Sequence, residues 1–123
     1  MAKILVVEDS ITGLQVLKDI LKETSHEVIT AADGEEAEQK ARSEAVHMII
    51  LAVIMQKKSG FQVCRDLRTD KNTGNIPIIM LSAENRESDR AWGLKQGATE
   101  YITKPFTPLD ILLAVKKHLK KME

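Results

Sequence analysis

Short apolar runs rich in β-branched residues alternate with helical patterns along the whole chain, and this alternation leaves few folds open. The runs are residues 4–7, 27–30, 46–51, 76–81 and 100–103, and each is followed by a helix candidate. In the first candidate, Leu14, Leu17, Ile20 and Leu21 make an apolar stripe at spacings of three and four. In the last, Leu109, Leu112, Leu113, Lys116 and Leu119 predict a similar stripe. Asp33 and Ser59 each stand three residues before a Glu or Gln, and Thr107 stands directly before Pro108, so three helix starts are marked by capping side chains. Strands joined by helical crossovers pair in parallel, and a parallel sheet needs cover on both faces. The pattern predicts a doubly wound α/β sandwich built on five parallel strands.

A chain of 123 residues is the size of one compact domain, so residues 1–123 are expected to form a single unit with no separate output domain. The 18 basic and 18 acidic side chains cancel, which removes a global electrostatic case for nucleic-acid binding. The local run of Lys116, Lys117, Lys120 and Lys121 reads as the solvated end of the last helix, where positive charge favours the negative pole of the dipole. No apolar stretch approaches the ~20 residues that span a bilayer, so a cytoplasmic location without membrane insertion is expected. Cys64, the one cysteine, sits in a helical pattern and reads as a small hydrophobe. His26, His47 and His118 lack metal-ligand spacing.

In open parallel sheets, ligands sit beyond the carboxyl ends of the strands. The residues placed there are Glu8 and Asp9, Ala52, Ser82 and Ala83, and Lys104 and Pro105. Two carboxylates, a hydroxyl and an ammonium thus surround one alanine. Taken alone, Glu8 and Asp9 would also suit an ordinary polar strand end with Ser10 capping the next helix. Ser82 alone would be unremarkable, and Tyr101 and Trp92 would suit simple packing.

Read in order, Val7-Glu8-Asp9-Ser10, Ile50-Leu51-Ala52-Val53-Ile54-Met55, Ser59-Gly60-Phe61, Leu81-Ser82-Ala83, Gly97-Ala98 and Thr103-Lys104-Pro105-Phe106 resemble the receiver domain of two-component response regulators. The resemblance covers essentially the whole chain. It implies a flavodoxin-like (βα)5 fold with strand order 2-1-3-4-5 and a role in phosphorelay signalling rather than enzymatic turnover. It also implies that Glu8, Asp9 and the backbone carbonyl of Ile54 would hold Mg²⁺, an ion that keeps much of its water. Ser82 and Lys104 would contact a phosphoryl group, Tyr101 would move inward as Ser82 is drawn to it, and Lys104-Pro105 would be the family's cis peptide. Residues 89–98 resemble regulators of pilus-driven motility and phototaxis.

The family's phosphoacceptor falls on Ala52, and there the match fails. Transfer requires attack on phosphorus by a carboxylate oxygen, which a methyl group lacks. Mg²⁺ binding is expected to be weak and not required. Gln56, where the family usually has proline, is a second departure. Two histories account for Ala52: a receiver that lost its chemistry and acts through protein interaction, or an ordinary Mg²⁺-dependent phospho-aspartate switch inactivated by an introduced change. A flavin-binding or hydrolytic reading fits poorly, since no Gly-rich loop follows Val7 and no Ser/His/Asp set is evident. Partners such as a histidine kinase, a motility or chemotaxis component, or another receiver would meet the face of the fourth helix, fifth strand and fifth helix, here residues 89–96, 100–103 and 108–117.

Overall fold

The computed structural model describes residues 1–120, so the Lys121 end of the basic run lies outside the described residues. Five strands, β1 (Lys3–Val7), β2 (Glu27–Ala31), β3 (Met48–Ala52), β4 (Ile78–Ser82) and β5 (Glu100–Thr103), alternate with five helices. The helices are α1 (Ile11–Leu21), α2 (Gly34–Ser43), α3 (Gly60–Thr69), α4 (Glu87–Lys95) and α5 (Pro108–His118). All strand pairs are parallel and the order is β2-β1-β3-β4-β5. The reversal of winding at β1 sends helices to both faces and opens a crevice at the carboxyl ends of β1 and β3.

The near-unbroken apolar runs resolve into two alternating sets, because successive strand residues point to opposite faces. Leu5, Val7, Ile49, Leu51, Ile78 and Met80 join Ala37, Val63 and Leu67 under α2 and α3. Ile4, Val6, Met48, Ile50, Ile79 and Leu81 join Leu17, Leu21, Ile111 and Val115 under α1 and α5. A strand in the middle of such a sandwich has no wet face, which is why β3 and β4 carry no polar residue before Ser82.

The capping signals hold in detail. Asp33 accepts from the Glu36 N–H, Ser59 from the Gln62 N–H and Thr107 from the Asp110 N–H, with Pro108 in the first turn of α5. Two strands start later than their apolar runs. Pro77, lacking an N–H, delays β4 to Ile78, and Ala45, at a φ of 53°, turns the chain ahead of Val46 and β3.

The stripe expected on α5 is corrected in part: Leu119 is buried and Leu112 packs on the same core, as expected, but the rest of the buried strip is a different set. Ile111, Ala114, Val115 and Leu119 are buried, whereas Leu109 and Leu113 are 61% and 56% exposed and Lys116 is exposed. Residues two apart lie nearly opposite on a helix, so α5 carries two apolar strips, and the sheet takes the one through Ile111 and Val115.

Candidate functional site

The strand register builds the site. Val7 pairs with Leu51, Ala52 with Leu81 and Ser82 with Thr103, so Glu8, Ala52, Ser82 and Lys104 emerge on neighbouring strands at one edge of the crevice. Ala52 is 3% exposed, so its methyl group is buried at the end of β3. The chain beyond it is tied down: the Val53 N–H donates to the Leu81 carbonyl at 3.0 Å, and the Gly60 N–H donates to the Val53 carbonyl at 2.7 Å. Gly60 has no room for a Cβ, which would press on the Ala52 and Val53 backbone. The amino end of α3 therefore packs directly on the strand end.

Glu8 is a buried carboxylate, 5% exposed, with both oxygens engaged. Oε1 accepts the Ser10 N–H at 3.2 Å, and Oε2 lies 3.4 Å from the Lys104 ammonium. Gly13 makes this possible, since a Cβ there would sit 3.1 Å from Glu8 Cγ. Ser10 at the same time caps α1 through the Gly13 N–H. Asp9 and Ala83 are exposed at the mouth, as is the Ile54 side chain, in the loop after β3. The structure thus brings Glu8, Ser82 and Lys104 together around the Ala52 strand end, and leaves Asp9 at the rim.

Ser82 is 3% exposed, and its hydroxyl accepts the Glu84 N–H at 3.1 Å, while its carbonyl accepts the Lys104 N–H at 2.8 Å. The Lys104–Pro105 peptide is cis. Tyr101 is buried, 6% exposed, and its hydroxyl donates to the Glu84 carbonyl at 2.8 Å. Burial raises its phenol above the ordinary range; the Ser82 hydroxyl opposes this in part, and the nearby Asp89 and Glu84 add weaker upward effects.

The residues present do not fit a resident divalent ion. Among the described residues, no three His, Cys, Asp or Glu side chains come together to hold a metal. Only Glu8 and Asp9 supply carboxylates here, and the Glu8 charge is already answered by Lys104. A hard cation would have to displace that ammonium and would find a methyl group where a third carboxylate is needed.

A second ionic cluster was not anticipated from the sequence. In the β3–α3 loop, Lys57 reaches Asp33 and Glu35, each at 3.5 Å, and Lys58 reaches Glu38 and Asp66, each at 2.9 Å. The hydrogen bonds that Lys58 donates to Glu38 and Asp66 raise its pKa. The available signal was Glu38, an acid on the face of α2 that the apolar periodicity buries beside Ala37 and Ala41.

The model of the response regulator receiver domain matches residues 4–116. The chain belongs to that family. It is 42% identical over 121 residues to the alkaline phosphatase synthesis transcriptional regulatory protein PhoP of Bacillus subtilis, covering 98% of this chain and 50% of that protein. It therefore spans about half the length of that relative. Protein PilH of Pseudomonas aeruginosa is 37% identical over 115 residues, covering 94% of this chain and 95% of PilH. The crystal structure of the chemotaxis response regulator CheY4 of Vibrio cholerae superposes with a TM-score of 0.90 at 36% identity, covering 97% of this chain and 99% of CheY4. Receiver domains are signalling domains of two-component systems, and the flavodoxin-like strand order is the one this family shares. No helix among the described residues is long and apolar enough to cross a membrane.

Proposed function

We propose that this receiver acts by docking onto another protein and does not form an acyl phosphate, because its phosphoacceptor position is Ala52. The observation that carries the reading is the buried methyl group at the end of β3, beside a Glu8–Lys104 pair that is already neutral as a unit. Alanine has no oxygen to attack phosphorus. Lys104, the ammonium that would offset phosphoryl charge, instead holds Glu8. Mg²⁺ binding is weak and not required in this reading, and Ile54 contributes at most a backbone carbonyl. In this reading Ser82, Ala83, Tyr101 and Pro105 are inherited phosphoryl-contact positions with no phosphoryl group to hold, and the chain catalyses no reaction of its own.

The output is carried by the α4–β5–α5 face in the cytoplasm. Three large apolar side chains stand exposed there, Trp92 on α4 and Leu109 and Leu113 on α5. A groove of about 370 Å³ between β5 and α5 adjoins Leu113, lined by Tyr101, Leu113 and Ala114 together with the polar Glu100, Asp110 and Lys117. Exposed apolar anchors near a groove of mixed polarity suit a protein partner. A histidine kinase, a motility or chemotaxis component, or another receiver is the class of partner proposed, and the balanced charge argues against nucleic acid.

Two measurements test the reading. Titration with Mg²⁺ and beryllium fluoride, a phosphoryl mimic, is expected to leave the Trp92 fluorescence and the melting temperature unchanged, whereas Ala52→Asp responds to both. A clear response by the unaltered chain would contradict the proposal. For the docking face, a photo-crosslinker placed at Leu113 is expected to give a discrete adduct in cells that express the protein. Charge reversal at Lys95 or Lys116 is expected to reduce that adduct with at most a small drop in melting temperature from the helix dipole, and an unchanged yield would point to another surface.

A further inference from the structure

Gly93 lies inside α4, where glycine weakens a helix relative to alanine. Its surroundings give the reason. A Cβ on residue 93 would lie 2.7 Å from Tyr101 Cδ2 and 3.2 Å from Met80 Sδ, so the buried phenol ring occupies the volume that any side chain there would need. The ring is then held from its other end. The Glu84 backbone is held at both ends, its N–H donating to the Ser82 hydroxyl and its carbonyl accepting from the Tyr101 hydroxyl. These contacts join β4, the β4–α4 loop, α4 and β5, and none passes through residue 52. Tyr101 also lines the groove between β5 and α5, so a displaced ring has that space to enter.

We propose that Gly93 is the positioning residue for Tyr101: its missing side chain is the socket that keeps the ring buried, and this sets the open shape of the neighbouring groove. A larger residue at 93 drives the ring toward the groove and fills the docking site. Only this last consequence rests on the docking function proposed above; the socket stands or falls by itself.

Tyr101 is the sole tyrosine of the chain, so alkaline ultraviolet titration reads one phenol. In the parent the phenol is expected to ionise above the usual value of about 10, and in Gly93→Ala to fall back toward it. Identical titration curves would overturn the socket. Thermal denaturation gives a sign test, because alanine is the better helix former. Gly93→Ala is expected to lower the melting temperature when residue 101 is tyrosine and to raise it in a Tyr101→Ala background. The same sign in both backgrounds would overturn the proposal. Should Gly93→Ala not fold, folding of the double variant supports the socket and its failure alongside a folded Tyr101→Ala contradicts it. In the crosslinking assay at Leu113, Gly93→Ala is expected to lose the adduct. A retained adduct with a shifted phenol would overturn the link to docking alone, and no adduct in the parent would count against the docking face while leaving the phenol result to decide the socket.

Discussion

At the scale of single residues, the chemistry turns on what surrounds Ala52. On the neighbouring strand ends stand one buried acid, Glu8, and one ammonium, Lys104, 3.4 Å from each other, so the local charges are matched without a metal. Ala52→Asp adds a second buried carboxylate competing for the same lysine. Two like charges 4 Å apart repel by up to about 4 kcal/mol at an effective dielectric near 20, before screening and relaxation. The variant is expected to lose ~1–3 kcal/mol of metal-free stability, to be measured by urea denaturation, and to recover part of it as Mg²⁺ is added. Much of this site was legible in the sequence, because Glu8, Ala52, Ser82 and Lys104 each follow or end an apolar run. What was not legible is the Glu84 backbone, since a main-chain group bears no mark of its distant partners. Gly13 and Gly93 were visible as glycines inside helices, a sign of close approach that periodicity alone does not interpret.

At the scale of elements, α3 and its preceding loop are fixed by charge as well as by packing. Lys58 bridges α2 and α3 through Glu38, whose side chain is 8% exposed, and Asp66. Removing the ammonium leaves Glu38 with Arg42 at 3.4 Å as its remaining partner. Lys58→Met is expected to lower the denaturation midpoint measurably, because it strips a partner from the buried Glu38, whereas Lys57→Met, on a lysine 57% exposed, is expected to leave it nearly unchanged. Chemical denaturation of both variants checks the contrast. The helix starts were readable because a cap is a local matter: Asp33, Ser59 and Thr107 satisfy N–H groups two or three residues ahead of them. At α5, Thr107 and Asp110 bond reciprocally, and Thr107→Ala is expected to cost about 1 kcal/mol. The face of α5 was misread for the opposite reason. Leu109 and Leu113 form as good a stripe as Ile111 and Val115, and only the position of the sheet decides which is buried.

At the scale of the whole molecule, alternating runs were enough to give five parallel strands covered on both faces, while the order of those strands came from family resemblance. Periodicity records which residues are buried, not which strand lies beside which. Stability should show shoulders at both pH extremes. Backbone N–H groups hold Asp33, Glu36 and Asp70 below the ordinary carboxylate range, that of Glu36 acting on Asp33, of Ala32 on Glu36 and of Asn72 on Asp70. Groups depressed in the folded state add stability above the unfolded value of about 4, and it is lost as pH falls through their folded values. Tyr101 works with the other sign. Its raised phenol keeps a proton that the unfolded chain has already released, so stability falls as pH rises above about 10, and Tyr101→Phe should flatten that limb. Melting curves from acid to alkaline pH check both limbs. The central claim is that this receiver keeps its family's scaffold without the family's covalent step. Intact-mass spectrometry after incubation with acetyl phosphate and Mg²⁺ tests it directly: the unaltered chain should keep its mass while Ala52→Asp gains one phosphoryl group, and a phosphorylated unaltered chain would contradict the account.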